Sequence, residues 1–124
     1  MMIGLGIDAV DIARFRDVLA RRPGMASRLF TDGERDYASR LADPTPSLAA
    51  RFAAKEAVMK ALGVGIGAFA WQEVEVVRDD ASGRPSLRLR GAAATLSDRR
   101  GVGTWHVSLT HTSALAEAVV AAVG

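Results

Sequence analysis

Small and apolar residues alternate at the start of the chain. Every second position is apolar in the order Ile3, Leu5, Ile7 and Ala9, and the positions between them hold Gly4, Gly6, Asp8 and Val10. This period of two predicts a strand over 3–10 with the Ile3 set buried. Asp8 shares the other face with two glycines, so a ligand has room to approach there and Asp8 is placed to bind it. The alternative is that Asp8 or Asp11 caps the helix that follows.

Helical spacing replaces this alternation in the middle of the chain. It predicts a helix over 12–20, broken by a Pro-Gly pair, and a short helix over 35–41 behind the capping-box pair Thr31 and Glu34. A long alanine-rich helix then runs to Gly63, with Ser47 as its expected N-cap.

Strand patterns return in the second half of the chain. Alternation over 73–77 and 87–90, with turn residues at 79–83, predicts a hairpin. A helix over 92–100 and a strand over 105–111 follow, and 114–123 is ambiguous because alanine favours helix and valine favours strand. The whole predicts an α+β domain in which the long helix covers an antiparallel sheet.

Composition narrows the class of protein. At 124 residues we expect one domain, 1–124, and the balance of 49% hydrophobic to 24% charged residues excludes disorder and a membrane span. The sequence has no cysteine and no signal-peptide pattern, so we expect a cytoplasmic protein. Arginines cluster near the N-terminus and predict a basic face for an acidic partner; they include Arg14, Arg21, Arg22 and Arg28.

The long helix holds both lysines of the chain, Lys55 and Lys60, with Glu56 between them. Taken alone, Glu56 and Lys60 are one turn apart and fit a surface ion pair. Taken with Asp8, Glu56 supplies a second hard oxygen ligand for Mg²⁺, which would keep waters and recruit phosphate oxygens. Lys55, at the flank of the apolar arc, and Lys60 would then meet the phosphate.

Two further segments suit a phosphate or nucleotide ligand. Gly63 and Gly65 begin a glycine-rich loop whose backbone N–H groups can come close to a phosphate, although the loop matches no dinucleotide or P-loop fingerprint. His111 lies between threonines at a strand end and is a candidate ligand contact. Ser108 has no nucleophile elbow around it, so we interpret it first as a strand hydroxyl.

Three segments together resemble the holo-[acyl-carrier-protein] synthase family of 4′-phosphopantetheinyl transferases. They are GIDAVDIARF at 6–15, RFAAKEAVMKALGVGIG at 51–67 and WHVSLTHT at 105–112, and their order and the chain length also fit that family. The resemblance implies a 4′-phosphopantetheinyl transferase-like fold. It also implies a Mg²⁺-dependent transfer of the phosphopantetheine arm of coenzyme A to a serine of apo-acyl carrier protein, with release of adenosine 3′,5′-bisphosphate for fatty acid biosynthesis.

The resemblance also assigns roles to single residues. Asp8 and Glu56 match the Mg²⁺ ligands, and Lys60 stabilises charge on the leaving phosphate. Either Glu56 or a metal-bound water takes the serine proton. The implied coenzyme A contacts are Lys55, Lys60, Gly63, Gly65, Ser108 and His111. Arg14 matches the carrier-protein contact, with the other clustered arginines beside it.

The family is a homotrimer with active sites between protomers, and it implies neither a nucleic-acid nor a membrane partner. One alternative keeps the same chemistry but serves polyketide or peptide carrier domains. A second alternative, a basic RNA-binding module, is favoured only by the arginine cluster and lacks an aromatic stacking platform.

Overall fold

The computed structural model describes residues 1–124 and contains five strands and five α-helices. In chain order they are β1 (Met2–Asp11), α1 (Ile12–Arg21), α2 (Met25–Leu29), α3 (Asp32–Ser39), α4 (Thr45–Leu62), β2 (Val74–Arg78), β3 (Pro85–Leu89), α5 (Gly91–Arg99), β4 (Thr104–His111) and β5 (Leu115–Val123). A 3₁₀ turn, Trp71–Glu73, leads into β2. Helix α4 is the only long helix, and the other elements surround it.

The main sheet is antiparallel in the order β1-β5-β4, and α4 packs across one of its faces. Small residues let the helix come close. A Cβ added to Gly4 or Gly6 would overlap the carbonyl oxygens of Ala61 and Ala57 in α4. The space beside these glycines is therefore filled by the helix, and the prediction that a ligand approaches the backbone there is wrong.

The two faces of this sheet are the reverse of the sequence prediction. Gly4, Gly6 and Asp8 face α4, whereas Leu5 is 61% exposed and Ile7 is 63% exposed on the outer face. The alternation was sound as a strand signal, but it does not say which face the helix covers. Glycine occupies positions 4 and 6 of the inner face because any larger side chain there would overlap the backbone of α4.

Strand β5 settles the ambiguous C-terminal segment. It lies between β1 and β4, with Val119 opposite both Ile7 and Ser108. Three of its four buried inward residues are alanines, namely Ala116, Ala118 and Ala122, and the fourth is Val120. Small residues on this face let α4 pack close to the strand. Alanine's helix preference is overridden here by sheet pairing and close packing.

Capping explains the helix starts and corrects one of them. The Asp11 carboxylate accepts from the Arg14 N–H at 2.9 Å, so Asp11 and not Asp8 is the N-cap of α1. The capping box of Thr31 and Glu34 is formed at the start of α3. Helix α4 begins at Thr45 instead of after Ser47, since proline is tolerated in a first helical turn. The single turn of α2 was not predicted.

Helix α4 is buried on almost every side. Its apolar residues belong to all three core clusters, which contact the sheet, α1, α3 and the β2–β3 hairpin. It ends at Gly63, whose φ of 71° is left-handed and suits glycine. No helix in the chain is long and apolar enough to cross a bilayer. The predicted α+β class, with an antiparallel sheet packed on a long central helix, is confirmed.

Candidate active site

One stripe of α4 stays open while the rest of the helix is covered. Phe52 and Glu56 are half-buried and Lys60 is exposed, at intervals of one helical turn. These intervals place the three side chains on one face. The end of β1 runs beside this stripe, so the site forms where strand and helix meet.

Lys60 links the stripe to β1. Its ammonium donates to the Ile7 carbonyl oxygen at 2.8 Å and to the Asp8 carboxylate at 3.1 Å. The surface ion pair with Glu56 suggested by the helical spacing is not formed, because the strand offers Lys60 two acceptors. The charge remains available to a ligand, since 54% of the Lys60 side chain is exposed.

Glu56 completes a small group of charges. Partial burial is the main cause that raises its pKa; the negative charge of Asp8 raises it further, and Lys60 opposes both. A carboxylate with a raised pKa is a better proton acceptor near neutral pH than an ordinary one. Asp8 contacts Lys60, and Glu56 precedes Lys60 by one helical turn on the same open face of α4, so the three side chains lie in one region of the surface.

The donor set fits magnesium rather than zinc. Asp8 and Glu56 offer hard carboxylate oxygens, which Mg²⁺ prefers, and the chain has no group of three or more His, Cys, Asp or Glu side chains placed to hold a metal ion. Two protein ligands leave most of an octahedral shell for waters and phosphate oxygens. Such a site would therefore fit a metal that arrives with, or binds, a phosphate-bearing ligand.

A cavity of about 710 Å³ lies directly beside this group. Glu56 is on its wall, and Arg14 and Arg28 stand at its rim. Nine of its thirteen lining residues are hydrophobic, so it combines an apolar interior with a basic edge. Arg21 and Arg22 are exposed nearby at the end of α1 but do not line the cavity.

Three aromatic rings form one wall of this cavity. Phe52 stacks between Phe15 and Trp71, with ring centroids 5.2 Å and 5.1 Å apart. The rings pack on one another and on the core, so they do not form an exposed platform on which bases could stack. The RNA-binding alternative gains no support from them.

Lys55 lies elsewhere than the sequence led us to expect. Its side chain is 0% exposed, and its ammonium donates to Glu34 at 2.8 Å, to the Trp71 carbonyl at 3.1 Å and to the Val74 carbonyl. Burial lowers its pKa, and the charge of Glu34 opposes that effect. The expected coenzyme A contact at Lys55 is therefore wrong for this structure: the anion that its ammonium meets is Glu34.

His111 borders a second cavity, of about 440 Å³, near the start of α4. Arg51 lines the same cavity, is only 6% exposed, and its Nε has no hydrogen-bond partner. Burial lowers the pKa of Arg51. Sequence reasoning missed Arg51, although it lies within the motif at 51–67, because nothing in the sequence distinguishes it from the surface arginines.

The remaining predicted contacts are spread over the chain. Gly63 and Gly65 follow the C-terminal end of α4, roughly 18 Å from Arg51 at 1.5 Å per helical residue. Ser108 is on the outer face of the sheet, opposite to the face that holds Asp8. A single chain therefore unites Asp8, Glu56 and Lys60 but keeps Ser108, His111 and the glycine loop apart.

Comparison with known proteins agrees with this geometry. The sequence profile of one protein family, the 4′-phosphopantetheinyl transferase superfamily, matches residues 4–123 of this chain. A holo-[acyl-carrier-protein] synthase of Clavibacter sepedonicus is 49% identical over 124 residues, covering 100% of this chain and 98% of the relative.

Solved structures show the same fold. The holo-[acyl-carrier-protein] synthase of Neisseria meningitidis superposes with a TM-score of 0.90 at 29% identity, with 100% of both chains covered. That of Bacillus anthracis, solved in complex with CoA (3′,5′-ADP), has a TM-score of 0.81 at 33% identity, covering 98% of this chain and 96% of the other. The chain therefore belongs to the 4′-phosphopantetheinyl transferase superfamily, and the predicted family, fold and enzyme class are confirmed.

Proposed function

We propose that this protein transfers the 4′-phosphopantetheine group of coenzyme A to a serine hydroxyl of an apo-acyl carrier protein. The reaction would be Mg²⁺-dependent, release adenosine 3′,5′-bisphosphate and serve fatty acid biosynthesis. The observation that carries the proposal is the junction of Asp8, Glu56 and Lys60 with an apolar, basic-rimmed cavity. Relatives named holo-[acyl-carrier-protein] synthase support it over the full chain length.

The residues divide the chemistry between them. Asp8 and Glu56 would hold the Mg²⁺, which would neutralise pyrophosphate charge when bound. Lys60, fixed by the Ile7 carbonyl and Asp8, presents its ammonium to the phosphate on which negative charge develops, and such preorganised charge is what phosphoryl transfer needs. In the transfer the serine oxygen forms a bond to phosphorus, and the bond from that phosphorus to the bisphosphate oxygen breaks, so the bisphosphate leaves with the electron pair. The serine proton passes to Glu56 or to water.

The carrier protein would dock on α1 and the cavity beside it. Arg14 and Arg28 border the cavity, and Arg21 and Arg22 extend the positive surface. Acidic partners are steered to such a surface and oriented by it. The apolar wall would receive apolar carrier side chains, while the carrier serine comes to rest near Glu56.

Intact-protein mass spectrometry tests the activity. An apo-acyl carrier protein is incubated with this protein, coenzyme A and Mg²⁺, with EDTA and the Asp8→Ala variant as controls. We expect a mass gain of one phosphopantetheinyl group, absent in both controls and absent from a carrier whose serine is alanine. A folded protein that modifies none of several carriers would overturn the proposal. Polyketide and peptide carrier domains in the same panel would test the partner.

We also propose that the protein acts as a homotrimer with active sites between protomers. The outer face of the main sheet carries exposed apolar side chains, among them Leu5, Ile7, Leu115 and Val119. A contiguous apolar surface of this kind favours burial against another chain. Assembly would also offer residues that one chain keeps apart from Asp8, such as His111, to the Asp8 site of a neighbour.

Mixed trimers test the sharing of sites. Asp8→Ala and His111→Ala chains, each inactive alone, are co-expressed and assembled at random. If Asp8 and His111 of one site come from different chains, about a quarter of the sites recover both residues. If both come from the same chain, no site recovers. Sedimentation of the wild-type protein, with Ile7→Glu as the disrupting control, gives the protomer count.

A further inference from the structure

Lys55 and Glu34 form an ion pair that the proposed chemistry does not use. Both side chains are 0% exposed. The three N–H donors of the Lys55 ammonium are matched by three acceptors, namely Glu34 and the carbonyls of Trp71 and Val74. The cation is therefore satisfied entirely within the protein and has no donor left for a ligand.

Glu34 is also fully buried, and it extends the network. Its Oε1 accepts from the Thr31 N–H at 3.0 Å and its Oε2 from the Val76 N–H at 2.9 Å, in addition to the bond from Lys55. The pair thus ties the start of α3, the middle of α4 and the start of β2 together. Because apolar side chains of similar volume often stabilise a core as well as a buried ion pair does, the distinctive contribution of this pair is geometry.

The geometry it sets is that of the cavity wall. Lys55 fixes the carbonyl of Trp71, whose ring stacks on Phe52 and, through it, on Phe15. The next residue, Gln72, donates to the Phe30 carbonyl at 3.0 Å and so anchors the same 3₁₀ turn to the end of α2. Glu73 holds the other end of the turn, because its carboxylate accepts from the Ala70 and Ala92 N–H groups, each at 2.9 Å. Lys55 and Gln72 therefore act on the end of the turn that carries Trp71.

We propose that the Lys55–Glu34 pair is a positioning device that holds Trp71 in the wall of the cavity and thereby sets affinity for the carrier protein, without touching either substrate. The inference rests on the proposed function, because it takes the cavity as the carrier's docking site. It gives a positioning role to Lys55, which the family resemblance implied to be a coenzyme A contact.

The test uses a variant in which both charges are removed together. Lys55→Met/Glu34→Gln keeps similar volumes and leaves an amide oxygen to accept from one of the two backbone N–H groups. Glu34→Asp is the second variant; it keeps both charges but shortens the reach of the pair, so it serves if the double variant does not fold. Ser97→Ala is the matched control, because it removes a buried hydrogen bond to Trp105 away from the cavity.

Two readouts separate positioning from simple destabilisation. Steady-state transfer by the folded variants gives KM for the carrier protein, KM for coenzyme A and kcat. Acrylamide quenching in a Trp105→Phe background reports Trp71 alone, since the chain has two tryptophans. We expect KM for the carrier to rise about tenfold and KM for coenzyme A to change less than about twofold, with Trp71 quenched more strongly. Ser97→Ala should leave both KM values unchanged.

The inference is overturned if a folded double variant, or Glu34→Asp, keeps the wild-type carrier KM and Trp71 quenching, or if only kcat falls. A failure of the proposed function looks different: the wild-type protein then modifies no carrier at all. In that case the Trp71 quenching still decides whether the pair holds the turn.

Discussion

The two lysines of α4 occupy opposite kinds of environment, although they are five residues apart in one motif. Lys55 is wholly enclosed, with three acceptors for its three donors, whereas Lys60 has 54% of its side chain exposed and shares its charge between Asp8 and solvent. The first holds the fold together and the second is free to meet a substrate. The difference shows that the burial of each charged residue in a motif must be known before a structural or a catalytic role is assigned to it.

Removal of the enclosed charge should have the largest effect on stability. Lys55→Met leaves Glu34 buried without its partner, which typically costs about 3–5 kcal/mol. Urea unfolding followed by circular dichroism measures this loss. Lys60→Met is the control and should change the free energy of unfolding by less than about 1 kcal/mol, as expected for an exposed pair. Equal losses in the two variants would abolish the contrast between the lysines.

Removal of the exposed charge should act on turnover instead. Lys60→Met is expected to lower kcat by roughly 10²–10³-fold, equivalent to about 2.7–4 kcal/mol, because a preorganised cation is lost where phosphate charge develops. The carrier-modification assay measures it. Arg40→Met, which removes an exposed cation paired with Asp36 in α3, is the control and should keep wild-type turnover. Undiminished kcat in Lys60→Met would remove Lys60 from the proposed chemistry.

Separation of α4 from β1 should disturb the site that Lys60 forms with Asp8. Gly6→Ala places a Cβ against the Ala57 carbonyl, and such overpacking typically costs about 1–3 kcal/mol. We expect lower stability and lower turnover together, since the helix must shift. Gly24→Ala, where a Cβ meets nothing within 4 Å, is the control and should be silent in both assays. A harmless Gly6→Ala would mean that the close approach is not required.

The smallest expected effect concerns a surface pair remote from both lysines. The Arg16 guanidinium donates to Asp43 and lowers the pKa of that carboxyl from 3.8 to about 2. A depressed folded-state pKa stabilises the protein above the unfolded value, and that stabilisation is lost as pH falls from 3.8 towards 2. Asp43→Asn should therefore flatten the acid limb of the stability curve slightly, as measured by thermal unfolding at several pH values. An unchanged acid limb would contradict the assignment.

Local chemistry made much of the fold predictable. The alternation in β1, the Thr31 and Glu34 capping box and the left-handed glycine at the end of α4 each depend on neighbours within a few residues, so the sequence contains their whole cause. The Asp8, Glu56 and Lys60 group was also predicted, through motifs that resemble a known family. The family itself is confirmed.

Only the tertiary structure decided which surfaces are covered. Alternation distinguishes the two faces of β1 but does not show which one packs on α4. The helix packs on the glycine face because only there can its backbone come this close to the strand. In the same way, the sequence directs both Lys55 and Lys60 to a phosphate, and Glu34, twenty-one residues earlier, makes Lys55 structural. Burial and long-range charge pairing depend on residues far apart in the chain. The sequence by itself therefore determined the elements and the chemical groups, and the packing of α4 against the sheet and the hairpin determined which of those groups a substrate can reach.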